Sequence, residues 1–285
     1  MTKFIAAGKT QAGTNHPVNE DRLLLDGNVL CCGLVGDCER GMGCMAVFDG
    51  VSEGGHGAAA STLAAQAFAQ AVRVFDTDAV NTIQGRLRVA GERAENDVET
   101  YAARYGLSVA ASTVAGLAVA PDGHATVFNA GDSRVYRVRG GALAVLSCDH
   151  TPEWRMGGVD AGCRGDAVSH CIELAIGLNQ GGRNLEVKTT VMLPGDRYLI
   201  CSDGIYGQIA QERLQQILAS DATCAQLCEE LYAEARVNGS TDDATLIVIE
   251  AGGIAISDEA IAVHRDGGNG NDETAVGRCL ASRDS

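Results

Sequence analysis

The amino-acid sequence predicts an α+β protein in which strands and helices occupy separate layers. Strand-length apolar runs cluster between Thr113 and Ser147 with turn residues between them, and longer stretches on either side carry helical periodicity. Runs of strands and runs of helices thus replace the strict alternation of a doubly wound fold. In chain order, Met45-Ala46-Val47-Phe48 is a buried strand ending at Asp49-Gly50. A helix is expected over about 58–75, where Leu63, Ala67, Ala71 and Val74 make a stripe of small apolar residues, and a second over about 83–104. A meander follows: Val114 to Val119, the turn Pro121-Asp122-Gly123, Thr126 to Asn129, Val135 to Val138, the turn Gly140-Gly141, and Leu143 to Leu146. Turns this tight impose antiparallel pairing. Another buried strand, Tyr198-Leu199-Ile200-Cys201, precedes helical patterns at Gln211 to Leu218 and Cys224 to Arg236, and Ala244 to Glu250 is the last strand. One domain over 1–250 is expected, with the glycine-rich excursion 150–184 as a functional cover. After it, 251–285 turns polar around Asp266-Gly267-Gly268-Asn269-Gly270-Asn271-Asp272 and is expected to be a flexible tail.

With 285 residues, 46% hydrophobic and only 4% aromatic, the chain can bury one large core or two small ones. Its 22 basic against 37 acidic side chains give a formal charge of −15, which disfavours nucleic acid and anionic lipid as partners in the absence of a basic patch. Phe4-Ile5-Ala6-Ala7 is too short for a signal core, and no apolar window reaches the ~18 residues of a membrane span. The eleven cysteines show no regular spacing, so the expectation is a cytoplasmic protein with mostly free thiols. Cys224 and Cys228 share a helical face without a second ligand pair at zinc spacing and read as buried thiols, and Cys201 reads as strand core.

Four acidic islands carry the chemistry: Asn19-Glu20-Asp21, Asp49-Gly50, Ser202-Asp203-Gly204 and Asp242-Asp243. The last three border apolar runs, so their carboxylates stand where buried strands emerge. Acidic groups converging from distant segments repel unless a cation compensates them, and a hard divalent ion suits oxygen ligands. Each island has a plainer reading when taken singly. Asp-Gly pairs make turns, Glu20 is a solvated charge, Asn19 satisfies turn backbone, Asp132 caps a hairpin, and Arg134 pairs with Asp132 or with a surface carboxylate.

The ordered set of motifs resembles the metal-dependent serine/threonine protein phosphatase 2C (PPM) family over nearly all of residues 10–250. Asn19-Glu20-Asp21-Arg22 is similar to its opening acidic motif, and Val47-Phe48-Asp49-Gly50 with Gly54-Gly55-His56-Gly57 and Ala60-Ser61 to its metal-bridging turn and first helix. Ala111-Ser112-Thr113 resembles the start of its central strand, and Asn129-Ala130-Gly131-Asp132-Ser133-Arg134-Val135-Tyr136 its hairpin. Asp149-His150-Thr151 and Ala175-Ile176-Gly177 flank a flap, and Cys201-Ser202-Asp203-Gly204-Ile205 with Ser240-Thr241-Asp242-Asp243-Ala244-Thr245 complete the set. The resemblance implies a four-layer α-β-β-α sandwich, two antiparallel sheets flanked by helices. It implies a bacterial-type cytoplasmic enzyme hydrolysing phosphoserine and phosphothreonine in phosphoproteins, opposite a Ser/Thr kinase, by a water activated between two Mn²⁺ or Mg²⁺ ions. Asp49 would bridge the ions, Asp203 and Asp242 would hold the first, and Glu20 with the Gly50 carbonyl the second, with Asp21 behind them orienting water.

Departures from the family pattern give further expectations. His16 stands where the family has a phosphate-gripping arginine and is the candidate for substrate phosphate, although it lacks the permanent charge and fork of a guanidinium. Arg155, Arg164 or Arg183 in the flap are substitutes for that grip. Val51-Ser52-Glu53 reshapes the loop beside the second metal, with Glu53 exposed, and Val51 replaces a histidine general acid of some members. Asp132 could serve a third metal, but Gly207 occupies the partner position, so that site is expected to be weak or absent. Two alternatives remain at this level: a phosphatase-like binding module without turnover, and a dimetal hydrolase of small phosphoesters.

Overall fold

Alternation along the strands divides the hydrophobic core into three. The structure, a computed structural model, describes residues 3–14, 17–52, 55–72, 80–157, 171–178 and 185–252. Its strands in chain order are β1 (Phe4–Gln11), β2 (Arg22–Leu25), β3 (Asn28–Leu30), β4 (Gly33–Arg40), β5 (Gly43–Phe48) and β6 (Gly50–Ser52), then β7 (Ala110–Ser112), β8 (Val114–Val119), β9 (His124–Ala130), β10 (Arg134–Arg139), β11 (Ala142–Val145), β12 (Glu186–Val191), β13 (Arg197–Cys201) and β14 (Ala244–Ala251). The helices are α1 (Gly57–Val72), α2 (Val80–Tyr105), α3 (Pro152–Gly157), α4 (Asp203–Tyr206), α5 (Gln211–Leu218) and α6 (Cys224–Val237).

One antiparallel sheet runs β11-β10-β13-β14-β1-β4, the other β12-β9-β8-β5-β2-β3, and β6 pairs with β7 in a two-stranded ribbon. Period-2 alternation sends Phe4, Ala6, Tyr198, Ile200, Ile247 and Ile249 into the space between the sheets, where Met45, Val47 and Leu117 meet them. The neighbouring residues Ile5, Ala7, Leu199, Cys201, Leu246 and Val248 face outward and are covered by α4, α5 and α6. On the opposite side Leu24, Ala46, Phe48, Val114 and Phe128 pack under α1 and α2. This is the predicted four-layer sandwich.

Small residues on α1 set how closely it approaches the sheet. Ala60, Ala64 and Ala67 are buried, and Phe68 fills the space they leave, stacking on Phe128 at 5.5 Å and meeting Phe48 edge-on at 5.6 Å. Complete burial of the Phe68 ring stabilises the fold by about 1.5–3 kcal/mol. At the start of α6, Thr223 and Gln226 form a reciprocal capping box.

Differences from the sequence reading lie mostly in short or polar strands. β1 is central, paired with β14 on one side and β4 on the other, although only its first four residues form an apolar run. Within 150–184, α3 forms a turn of helix and Ile176 bridges Ser112 through two backbone hydrogen bonds of 2.9 Å, so part of the expected excursion is regular structure. Residues 158–170, 179–184 and the tail from 253 lie outside the described residues. Cys201, Cys224 and Cys228 are buried and free, as expected. Among the described residues no helix is long and apolar enough to cross a membrane.

Candidate metal centre

The acidic islands are delivered by both sheets to one edge. Glu20 and Asp21 immediately precede β2, and Asp49 immediately follows β5. Because Arg22 pairs with Phe48 across β2 and β5, these islands are neighbours. From the other sheet, Asp203 opens α4 directly after β13, and Asp242-Asp243 precede β14, whose Leu246 pairs with Cys201.

Asp49 is the centre of this arrangement. Burial, then the charges of Asp21, Asp203, Asp132 and Asp242, push its carboxyl well above the usual carboxylate range. Its backbone is fixed from both directions, since Asp49 N–H donates to Thr113 Oγ1 at 3.0 Å and Thr113 N–H donates to the Asp49 carbonyl at 2.8 Å. Two glycines let oxygens converge beside it. A Cβ on Gly57 would sit 2.5 Å from the Gly50 carbonyl oxygen and 2.8 Å from Glu20 Oε2, so both oxygens face the same spot. A Cβ on Gly50 would in turn meet the Gly57 carbonyl and lie 2.8 Å from the Glu20 carbonyl.

Asp21 is almost fully buried; Ser202 Oγ donates to its Oδ2 at 2.8 Å, while Oδ1 has no protein partner. Burial, only partly opposed by that hydroxyl, raises its carboxyl to about 7. Asp132 is buried too, and burial together with the Asp149 charge raises it to about 6. Tyr206 Oη donates to the Asp132 carbonyl at 2.9 Å.

These features fit divalent cations. A cluster of carboxylates with raised proton affinity and an unpartnered buried oxygen calls for positive charge, and the donor set is all oxygen. Among the described residues no three Asp, Glu, His or Cys side chains are gathered tightly enough to form a cage by themselves. The Gly50 carbonyl adds a neutral oxygen donor beside Glu20.

Other predicted residues fall elsewhere. Arg134 pairs neither with Asp132 nor with a surface carboxylate. It forks onto buried Asp149, with Nε 3.0 Å from each carboxylate oxygen and Nη2 2.6 Å from Oδ2, and Tyr206 stacks on its guanidinium at 4.0 Å. Arg155 is ion-paired with Glu173 and is therefore already engaged. Val51 is partly exposed. His16, Glu53, Arg164 and Arg183 lie outside the described residues.

The sequence places Asp243 in an acidic island but gives it no role of its own. Its Oδ1 accepts the Gly13 N–H at 2.7 Å and its Oδ2 the Glu20 N–H at 2.6 Å, so one buried carboxylate ties three segments together. Its adjacency to Asp242 was the only available signal. Asn19 is a turn residue as expected, accepting from Asp21 N–H at 2.9 Å and donating to Thr10 Oγ1 and the Cys31 carbonyl.

A family model described as protein phosphatase 2C matches residues 33–243 of the 285. The chain belongs to the protein phosphatase 2C family. A curated relative, "Probable protein phosphatase 2C 74" of Oryza sativa subsp. japonica, is 30% identical over 154 residues, 48% of this chain and 39% of that protein. The chain spans about half or less of the length of the curated relatives it matches. Among solved structures of the family, "PppA, a key regulatory component of T6SS in Pseudomonas aeruginosa" is 25% identical with a TM-score of 0.71, covering 87% of this chain and 97% of that one. The catalytic domain of the serine threonine protein phosphatase PstP, in complex with two manganese ions, is 21% identical with a TM-score of 0.69, covering 88% and 99% and supporting the fold.

Proposed function

We propose that this chain is a metal-dependent phosphatase acting on phosphoserine and phosphothreonine in proteins, with Asp49 shared by two Mn²⁺ or Mg²⁺ ions. Asp203 and Asp242 would hold the first, and Glu20 with the Gly50 carbonyl the second. The observation that carries this reading is the position of Asp49 among Asp21, Asp132, Asp203 and Asp242, delivered from separate chain segments in a protein phosphatase 2C fold. When bound, the two ions supply a lowered pKa for water and positive charge opposite the phosphoryl oxygens.

The chain's own residues do the rest. Asp21, anchored by Ser202 through one oxygen, keeps Oδ1 buried beside it, where it can accept a hydrogen bond from a water and fix that water's orientation. The glycines at 50 and 57 keep the carbonyl and Glu20 oxygens accessible. Val51 carries no titratable group, so no side chain at that position protonates the leaving group. His16 remains the candidate for gripping substrate phosphate. The opposing activity is a Ser/Thr kinase of the same phosphoprotein. Asp132 is not assigned a third ion, since Gly207 supplies no side-chain oxygen.

Hydrolysis of phosphoserine and phosphothreonine peptides, nucleotides and p-nitrophenyl phosphate with and without Mn²⁺ tests the reading. Mn²⁺-dependent turnover preferring phosphopeptides is expected, with Asp49→Asn and Asp203→Asn inactive. Metal binding without turnover on any substrate would favour a non-catalytic module, and preference for nucleotides a small-phosphoester hydrolase.

A further inference from the structure

Arg236, near the end of α6, spends its guanidinium on main-chain oxygens beyond its own helix. Nη1 donates to the Ser240 carbonyl at 2.9 Å and to the Asp242 carbonyl at 2.8 Å, and Nη2 to the Ala12 carbonyl at 3.3 Å. Its planar head is steadied by the Tyr232 ring, 5.0 Å away. An arginine in a last helical turn commonly serves only to offset the helix dipole. Here the three acceptors lie on the turn before β14 and on the segment after β1, so the contacts define the path of those loops.

That turn carries Asp242 and is tied to the residue that follows Asp203. Ser240, whose carbonyl Arg236 holds, donates its hydroxyl to the Gly204 carbonyl at 2.7 Å, next to Asp203. Asp242, whose carbonyl Arg236 also holds, is packed against Gly13, where a Cβ would collide with the Thr241–Asp242 peptide. Thr14 N–H donates to the Thr241 carbonyl at 2.8 Å and closes the loop pair. One guanidinium, partly shielded from solvent, therefore fixes the turn that carries Asp242 and, through Ser240, its distance from Asp203.

We propose that Arg236 is a positioning residue that sets the Asp242 turn against Asp203, so that the two carboxylates bind one divalent cation together. The inference rests on the metal reading of Asp203 and Asp242 and deepens it. Carbonyl-directed, charge-assisted hydrogen bonds hold the backbone of the turn without spending the guanidinium on either carboxylate. Lysine cannot reproduce the fork, because a single ammonium cannot reach carbonyls on both loops in the same plane.

The test is Mn²⁺ titration calorimetry on the whole chain, comparing wild type, Arg236→Met, Arg236→Lys and Lys9→Met. Met preserves the apolar stem over Tyr232. Lys9 lies over the same ring at 4.5 Å and pairs with Glu229 but contacts neither loop, so its variant controls for general weakening of α6 packing. Arg236→Met should weaken Mn²⁺ binding by about 10–100-fold, the usual scale for groups that orient metal ligands, with Arg236→Lys intermediate and Lys9→Met unchanged. The phosphopeptide KM at saturating Mn²⁺ should stay at the wild-type value. Binding by Arg236→Met within about threefold of wild type, well short of that scale, would overturn the proposal. Should that variant be recovered unfolded, Arg236→Lys decides, and wild-type affinity in it overturns the proposal equally. Absence of Mn²⁺ binding by the wild type itself would overturn the metal reading, and this inference with it.

Discussion

Replacing Arg134 by methionine tests how charge is buried beside the centre. Arg134 and Asp149 have side-chain exposures of 4% and 6%, and three hydrogen bonds of 2.6–3.0 Å join them. Burial already holds Asp149 above the usual carboxylate range despite the guanidinium opposing it. Removing the arginine leaves a buried carboxylate without its cation, a change that costs about 3–5 kcal/mol where one partner of such a pair is deleted. Loss of the guanidinium stacking on Tyr206 adds roughly 0.5–2 kcal/mol. Equilibrium urea unfolding of the metal-free chain should show this as a lower midpoint with little change in slope. The double variant Arg134→Met/Asp149→Leu should recover most of the loss, because both charges are then gone and apolar volume remains. A loss below about 1 kcal/mol, the scale of an exposed pair, or a double variant no better than the single one, would refute the reasoning.

Three further expectations concern the centre itself. Asp21 and Asp132, raised by burial to about 7 and about 6 from the usual 3.8, retain protons in the folded metal-free chain that the unfolded chain has released. Stability of that chain should therefore fall as pH rises from about 4 to about 7, and thermal melts with chelator should give a higher Tm at pH 5.5 than at pH 7.5. With saturating Mn²⁺ the slope should flatten, since cations held nearby favour the ionised forms of Asp21 and Asp132; equal slopes in both conditions would contradict this. Gly204→Ala should destabilise and impair metal binding together, because its Cβ would collide with the Asp243 carbonyl, and a variant melting and binding like wild type would show that the turn relaxes freely.

Much of this molecule was legible in its sequence wherever local pattern and packing agree. The meander from β8 to β11, α5 and the start of α6 stand where period-2 and helical patterns put them, because each buries a continuous apolar face. β1 was passed over because Gly8, Lys9, Thr10 and Gln11 follow its apolar start; pairing on both edges, not composition, makes it a strand. β4 and β12 are edge strands without a fully buried residue and so carry little apolar signal. The acidic islands could be foreseen because carboxylates at strand ends are unusual without compensation. The pairing of Arg134 with Asp149, the reach of Arg236 to Ala12 and the tying role of Asp243 depend on tertiary proximity across 15 or more residues and have no local signature.

The central claim is that Asp49 is the shared ligand of two divalent ions, and Mn²⁺ titration of wild type beside Asp49→Asn tests it most directly. Asp49 stands among four other carboxylates, so removing its charge should leave the metal-free chain as stable as wild type or more so, which separates loss of binding from loss of fold. Two ions bound per wild-type chain, with binding abolished in a variant whose metal-free Tm is equal or higher, is the predicted result. A variant that still binds two ions with wild-type affinity would contradict the account.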